Sequence, residues 1–235
     1  SMKTVFNIQR FDSKTDEKPY FQEYHLDTSH NDMILGCLNR IRWEQDPSLA
    51  LRMSCGHGVC GSDGMKINGI CTISCQRLVK DYPGGEAIFI EPLGSFPVLK
   101  DLVVDMTSFF DKYRQVKPYL LPDGSAPEKE RVQSPEKRKK FDEAIRCILC
   151  GSCTSCCPAM AESDNRFLGP AALLRAFRYL FDSRDDAEKK RLKELDDPDG
   201  IWGCKTYGVC TKVCPKEIPV TKNLAFIKLK EKGKL

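Results

Sequence analysis

Thirteen cysteines in a chain of 235 residues are the feature that most limits what this sequence can fold into. Most of them fall into three groups with short, fixed spacings, which is typical of metal and cluster binding. The sequence starts directly with strand-like residues and shows no secretory leader, so we do not expect a disulfide framework of the secreted type. The sequence therefore predicts that thiolate–metal bonds organise much of the fold.

The second cysteine group has the spacing of bacterial ferredoxins. Residues 147–158 follow C-x2-C-x2-C-x3-C-P, and residues 204–215 repeat this frame with Tyr207 in place of the second cysteine. In the ferredoxin pattern the first three thiolates bind one cluster and the fourth binds the other cluster. Four thiolates are then available for a [4Fe–4S] cluster, and the predicted ligands are Cys147, Cys150, Cys153 and Cys214.

The repeated frame leaves only three thiolates for the other cluster. Its predicted ligands are Cys157, Cys204 and Cys210. A cubane that lacks its fourth protein ligand readily lacks the iron at that corner as well, so the expected cluster is [3Fe–4S]. Tyr207 decides this prediction, because a cysteine there would complete the set.

The N-terminal group resembles the plant-type [2Fe–2S] spacing C-x4-C-x2-C…C. Cys55 and Cys60 occupy the first two positions, Asp63 stands where the third cysteine belongs, and Cys71 and Cys75 follow. Either the Asp63 carboxylate is an oxygen ligand or Cys71 completes the site. Asp63 keeps the frame and is favoured, which gives Cys55, Cys60, Asp63 and Cys75 as the predicted ligands.

Zinc sites and a redox sensor are weaker alternatives for a chain with these cysteines. Zinc binds C-x2-C pairs well, but two ferredoxin frames are hard to explain by tetrahedral zinc sites. A redox sensor that binds nucleic acid is the second alternative, although the net charge of +4 is spread along the chain without a basic stripe, so no nucleic-acid partner is expected. Cys37 and Cys156 lie outside the frames and are expected to be small buried apolar side chains.

The pattern of elements predicts an α+β fold. A β-grasp [2Fe–2S] ferredoxin domain is expected over residues 1–105, followed by an all-α ferredoxin domain with two clusters over residues 106–235. No apolar run approaches the roughly 20 residues that span a bilayer. Strands are predicted at 4–10, 21–26, 65–67, 71–78 and 87–90, and helices at 33–41, 105–116, 135–146, 169–181, 185–195 and 220–232.

Several passages together resemble the iron–sulfur subunit of succinate dehydrogenase and quinol:fumarate reductase over essentially the whole chain. These passages are residues 54–64, 100–106, 117–121, 146–150, 167–171, 182–184 and 213–216. The resemblance implies a one-electron relay through [2Fe–2S], [4Fe–4S] and [3Fe–4S] clusters. Electrons would pass from an FAD-containing, succinate-oxidising flavoprotein subunit to a quinone beside a membrane anchor subunit, with the dicarboxylate chemistry on the flavoprotein.

The resemblance leaves two alternatives for the direction, succinate oxidation as the main expectation and fumarate reduction as the other. It implies a peripheral position on the cytoplasmic face of a prokaryotic inner membrane, or on the matrix face in an organelle. Some members of the family carry an aspartate at the third [2Fe–2S] position, which supports Asp63.

The quinone end departs from the family pattern. Many members have a tryptophan a few residues after the Cys-Pro and a histidine directly after the first cysteine of the last group. Glu162 and Lys205 occupy these positions here. Lys205 is the candidate donor to a quinone carbonyl and Glu162 a weaker candidate for proton transfer, with two ordinary surface residues as the alternative.

Overall fold

The computed structural model describes residues 2–124 and 126–235, and its elements follow the predicted α+β order. In chain order they are β1 (Met2–Arg10), β2 (Tyr20–Thr28), α1 (Ile34–Glu44), β3 (Gly64–Ile67), β4 (Ile70–Ile73), β5 (Ile88–Glu91), β6 (Val98–Lys100), β7 (Val103–Val104), α2 (Thr107–Gln115), α3 (Pro135–Lys139), α4 (Ser152–Ser155), α5 (Pro158–Glu162), α6 (Pro170–Leu180), α7 (Glu188–Leu195), α8 (Val209–Lys212) and α9 (Val220–Glu231). The fold class is confirmed: a mixed sheet forms the N-terminal part, and the C-terminal part is helices and loops.

The first compact unit is built on a sheet with the strand order β2-β1-β5-β3-β4. β1 pairs antiparallel with β2 and parallel with β5. Alternate residues of β1 face the core, so that Phe6 and Ile8 are fully buried and the intervening residues are partly exposed. The apolar face of α1, which includes Ile34, Leu38 and Ile41, belongs to the same core. This is the arrangement expected of a β-grasp domain.

Two predicted elements end earlier than the sequence indicates. The strand expected over 71–78 stops at Ile73, because the chain turns into a 3-10 helix at Ser74–Gln76. The helix expected over 135–146 is α3 followed by a separate 3-10 helix at Asp142–Arg146. In both places the chain turns just before or at a cysteine of a predicted cluster site.

A short segment returns to the first unit from the C-terminal half of the chain. The first unit contains the chain up to Met106 together with Ile148–Cys156, and the second contains Thr107–Cys147 and Cys157–Leu235. The sequence did not predict this exchange, and the domain limits of 1–105 and 106–235 stay a prediction.

The second unit packs its helices around α6. Pro170 opens this helix, where a missing backbone N–H costs nothing. The buried face of α6 packs on α9, and Phe177 stacks on Phe226 with ring centroids 6.5 Å apart. Asp182, just beyond α6, accepts hydrogen bonds from Arg178 and Arg184. Although burial raises the pKa of Asp182, these partners lower it to about 2.

Within the described residues, no helix is both long enough and apolar enough to cross a bilayer.

A buried arginine joins distant parts of the first unit. The Arg10 guanidinium donates to Asp101 (2.9 Å), Asp46 (2.6 Å) and Ser48 (2.8 Å), and Arg10 itself is only 5% exposed. Although burial acts in the opposite direction, hydrogen bonds from Ser48, Tyr24 and Arg10 hold the pKa of Asp46 well below its usual range. The cluster therefore connects β1 to the loop after α1 and to the turn between β6 and β7.

Replacing Arg10 by methionine tests this cluster, because the change leaves the buried Asp101 carboxylate without its cationic partner. We expect a loss of about 3–5 kcal/mol in the free energy of unfolding, which corresponds to roughly 10 °C in Tm. Thermal unfolding of the anaerobically purified protein, followed by circular dichroism, measures this loss.

The matched control is Arg40→Met, which removes a partly exposed i,i+4 ion pair with Glu44 (3.4 Å) and is expected to change Tm little. The double variant Arg10→Met/Asp101→Asn is expected to recover part of the loss. Equal Tm values for Arg10→Met and Arg40→Met would contradict the role given to the cluster.

Candidate iron–sulfur cluster sites

The glycine-rich loop between α1 and β3 surrounds the sulfur of Cys55 with backbone donors. The N–H groups of His57, Val59 and Cys60 each donate to Cys55 Sγ over 3.4 Å. These three hydrogen bonds lower the pKa of Cys55 to about 6. Cys55 is therefore mostly a thiolate at neutral pH, and the thiolate is the form that binds metal.

The same loop makes a close approach that only glycine permits. Gly61 has a φ of +69°, and a Cβ added to it would lie 2.6 Å from the carbonyl oxygen of Ile148. A side chain there would strain the backbone and collide with a neighbouring backbone atom. The loop that carries Cys60 thus lies directly against the segment 148–156, within the first unit.

Asp63 is buried beside Cys75. Its Oδ2 accepts hydrogen bonds from the Cys75 backbone N–H (2.6 Å) and from the Ser74 hydroxyl (3.0 Å). Its Oδ1 is buried and has no hydrogen-bond partner among the described residues. A buried, unpartnered carboxylate oxygen next to a cysteine is costly in an apoprotein, and coordination to iron would satisfy it.

Cys75 completes this set from the 3-10 helix at Ser74–Gln76, where it is buried. Burial, and next the neighbouring Asp63 carboxylate, raise the pKa of Cys75 to about 12. Three cysteine sulfurs and a carboxylate therefore lie on one loop and the turn that faces it. This donor set fits a [2Fe–2S] cluster, and the ligand assignment itself stays a prediction.

Cys71 is not a spare thiol, because it forms a disulfide with Cys156. Because the Cys71 sulfur is bonded to the Cys156 sulfur, Asp63 is the better candidate for the fourth donor. The expectation that Cys156 is a small buried apolar side chain is wrong for the same reason, whereas Cys37 is buried in the core as expected. The sequence carried no signal for this pairing, since Cys71 was an alternative ligand and Cys156 an expected free thiol.

The predicted [3Fe–4S] ligands are brought together within the second unit. Cys157, Cys204 and Cys210 line one small cavity that is partly open to solvent. Burial raises the pKa values of Cys157 and Cys210, and the neighbouring thiols of the set add to this effect in both. Three sulfurs from segments about fifty residues apart thus face the same space, as the repeated frame requires.

Helix α9 positions the two C-terminal cysteines of this set. Lys228 Nζ donates to the Cys204 carbonyl over 2.7 Å. At the other end of the helix, Thr221 Oγ1 lies 3.4 Å from Cys210 Sγ. One helix therefore contacts both ligands, which the sequence did not indicate.

The rim of this cavity carries the residues that depart from the family pattern. Tyr207 and Lys205 both line the cavity and are exposed. The Tyr207 hydroxyl donates to a Glu162 carboxylate oxygen over 2.5 Å, and this hydrogen bond raises the pKa of Tyr207. Tyr207 therefore presents no ligand of its own at the position where a ferredoxin has a cysteine.

The predicted [4Fe–4S] ligands are divided between the two units. Cys150 is buried at the edge of the first core and Cys153 lies in α4 of the same unit. Cys147 follows the 3-10 helix at Asp142–Arg146, and Cys214 follows α8, both in the second unit. This ligand set stays a prediction from the sequence.

No three His, Cys, Asp or Glu side chains of the described residues are arranged to hold a single metal ion. A cluster site would differ from such a site, because each iron of a cluster would take only one or two protein ligands and inorganic sulfide would supply the rest.

Family models match both halves of the chain. Residues 5–111 match a 2Fe-2S iron–sulfur cluster binding domain, and residues 143–218 match a 4Fe-4S dicluster domain. The two matched stretches contain every predicted ligand.

Similar proteins extend over nearly the whole chain. A succinate dehydrogenase iron–sulfur subunit of Coxiella burnetii is 45% identical, with 95% of each chain covered. One of Paracoccus denitrificans is 42% identical over 95% of this chain and 86% of its own. A chain of the Sdh1 complex of Mycobacterium smegmatis has a similar structure, with a TM-score of 0.91 and 26% identity, over 100% of this chain and 97% of that one. This chain therefore belongs to the family of succinate dehydrogenase iron–sulfur subunits.

Proposed function

We propose that this chain carries single electrons from an FAD-containing flavoprotein subunit to a membrane quinone, as the iron–sulfur subunit of a succinate dehydrogenase. The observation that carries the proposal is the meeting of Cys157 with Cys204 and Cys210 in one cavity. A spacing motif alone would not require the distant cysteine to be there. A ferredoxin-type exchange of ligands between two frames does require it.

The donor chemistry supports a place for each of three clusters. Cys55, Cys60, Asp63 and Cys75 would hold [2Fe–2S], and Cys157, Cys204 and Cys210 would hold [3Fe–4S]. Cys147, Cys150, Cys153 and Cys214 would hold [4Fe–4S]. When bound, such clusters accept and release one electron at a time at potentials that their surroundings set.

The chain prepares the proposed [2Fe–2S] site by setting the protonation and the solvent exposure of its donor side chains. Backbone N–H groups keep Cys55 as a thiolate, so the exposed end of the first site is ready to bind iron. Burial of Asp63 and Cys75 excludes water from the other end. Surroundings of this kind tune potential through hydrogen bonds to sulfur and through solvent exposure.

The proposed complex contains subunits besides this chain. The succinate site and FAD belong to the flavoprotein, and a membrane anchor subunit supplies the quinone site. We place the complex on the cytoplasmic face of a prokaryotic inner membrane. The relatives named above are succinate dehydrogenase subunits, which favours succinate oxidation over fumarate reduction as the physiological direction.

Lys205 is the better of the two candidates for a quinone contact. It is exposed at the rim of the cavity that Cys157, Cys204 and Cys210 share, and an ammonium group there can donate to a carbonyl oxygen. Glu162 is already engaged by Tyr207, so its carboxylate is less available for proton transfer.

Asp63 variants test the first site. Asp63→Ala removes the oxygen donor, and we expect it to lose or strongly alter the [2Fe–2S] spectrum. Asp63→Cys restores the full cysteine frame and is expected to retain a [2Fe–2S] cluster with a shifted EPR signal. Anaerobic purification with iron and sulfide analysis and EPR measures both outcomes.

The matched control is Cys71→Ala, which removes the other candidate sulfur and should leave the [2Fe–2S] spectrum unchanged. A wild-type spectrum for Asp63→Ala together with a disturbed one for Cys71→Ala would transfer the ligand to Cys71.

Tyr207→Cys tests the third site, because it supplies a thiolate where the repeated frame lacks one. We expect the oxidised [3Fe–4S] EPR signal to disappear and a [4Fe–4S] cluster with a lower midpoint potential to replace it. Tyr207→Phe is the control, since it removes only the hydrogen bond to Glu162 and should keep the [3Fe–4S] signal. An unchanged oxidised signal in Tyr207→Cys would count against the assignment of this site.

A further inference from the structure

The disulfide between Cys71 and Cys156 belongs to none of the three predicted ligand sets. Cys71 lies in β4, Cys156 directly follows α4, and their Cα atoms are 6.3 Å apart, a separation typical of disulfides. The two residues are 85 positions apart in the sequence. The bond therefore joins the sheet of the first unit to the segment 148–156, which returns to that unit from the second half of the chain.

The start of this segment is also tightly seated. A Cβ on Gly61 would lie 2.6 Å from the Ile148 carbonyl oxygen, and one on Gly64 would lie 2.7 Å from the Cys150 carbonyl oxygen. These contacts are backbone approaches without any covalent bond. The cross-link at Cys156 thus fixes the far end of a segment whose near end packs closely against the glycine-rich loop.

The two sulfurs differ in their access to solvent. Cys71 is 1% exposed and packs in an apolar cluster with Leu93 and Val104, whereas Cys156 is only partly buried at the edge of that cluster. The hydroxyl oxygen of Ser155 lies 3.5 Å from Cys71 Sγ. Cys156 is therefore the more accessible of the two sulfurs to a small oxidant in solution, and Cys71 lies behind it within bonding distance.

We propose that Cys71 and Cys156 form a redox-modification site whose oxidant is a peroxide. Hydrogen peroxide oxidises the Cys156 thiol to a sulfenic acid and releases one water. The Cys71 sulfur then attacks the Cys156 sulfur, the S–S bond forms, and the hydroxyl leaves as a second water. Two thiols thus lose two electrons and two protons, and one peroxide is reduced to two waters.

The bond fixes a segment that carries two predicted ligands of the [4Fe–4S] cluster, Cys150 and Cys153. This consequence rests on the proposed function. With both thiols reduced, the segment lacks this covalent link to β4 and is held by noncovalent contacts and by the cluster itself. In the oxidised form the disulfide keeps both ligands in place when iron is challenged, so the cross-link protects the site under oxidising conditions.

The bond itself is tested by peptide mapping of the full chain, purified with the subunits that accompany it. The protein is reduced, exposed to stoichiometric hydrogen peroxide, quenched with acid and alkylated before digestion with trypsin. We expect a linked pair of the peptides 67–77 and 147–166, absent before peroxide treatment and absent in both Cys71→Ala and Cys156→Ser. No linked pair in peroxide-treated wild type would overturn the proposal.

The protective role is tested by the rate at which a ferrous chelator removes iron from the [4Fe–4S] cluster after the peroxide has been removed. We expect the rate in Cys156→Ser to be on the order of tenfold higher than in oxidised wild type, because supports around a metal site commonly change its retention by such factors. Cys37→Ala, which removes a buried thiol outside the pair, is the control and should behave as wild type.

The outcomes separate this inference from the proposed function. Equal rates of iron loss in wild type and Cys156→Ser, with the linked peptides present, would reject the protective role. A wild-type protein without any cluster signal would reject the proposed function and leave the peptide result standing by itself. Cys156→Ser is the safer variant for these comparisons, since the replaced side chain is only partly buried.

Discussion

The second unit depends on carrying one cysteine to two others that lie about fifty residues further along the chain. Apolar packing between these segments brings the cysteines together without any bound metal. Gly203 lies so close to Phe167 that a Cβ would come within 2.5 Å of its ring, and this contact sets the position of the next residue, Cys204. Phe167 is fully buried and also lines the cavity that Cys157 shares. A side chain at Gly203 would therefore displace Cys204, a predicted cluster ligand, through a purely apolar contact.

Two cysteines of the proposed [2Fe–2S] site, Cys55 and Cys75, are held in opposite protonation states. Cys55 is held as a thiolate by three backbone N–H groups, whereas burial and the Asp63 carboxylate keep Cys75 protonated. If Cys75 binds iron as proposed, iron binding must remove its proton, and binding is coupled to proton release wherever a ligand must be deprotonated. Cys157 and Cys210 resemble Cys75 in this respect, since burial raises their pKa values as well. Cluster retention should thus weaken as the pH falls, most of all at the buried donors.

Much of this arrangement could be predicted from the sequence, because the informative signals are local. Cluster frames are short spacings, and the hydrophobic period of two along β1 and of 3.6 along α6 follows from strand and helix geometry. The strand predicted over 71–78 was wrong in its second half, since the chain must turn at Ser74 to present the Cys75 N–H to Asp63. The turn is required by the contact between Cys75 and Asp63, which are twelve residues apart, so the local sequence pattern does not predict it.

The return of residues 148–156 to the first unit lies beyond sequence reasoning for the same reason. It depends on the close backbone approach at Gly61, and the pairing of Cys71 with Cys156 depends on that return. From sequence, a cysteine outside every ligand frame is equally compatible with a buried thiol, a ligand and a disulfide. Only the fold selects among these, because it decides which sulfurs come within bonding distance.

The rim of the cavity that Cys157, Cys204 and Cys210 share shows how polar residues alter what can bind there. Glu162 and Lys205 stand where the family resemblance implies a tryptophan and a histidine, and the Tyr207 hydroxyl donates to the Glu162 carboxylate. An aromatic rim buries a flat ligand by apolar contact, whereas a carboxylate, an ammonium and a phenol bind through hydrogen bonds and charge. Because the Tyr207 hydroxyl already donates to the Glu162 carboxylate, the Lys205 ammonium is the group at this rim better placed to bind a hydrogen-bond acceptor of a ligand.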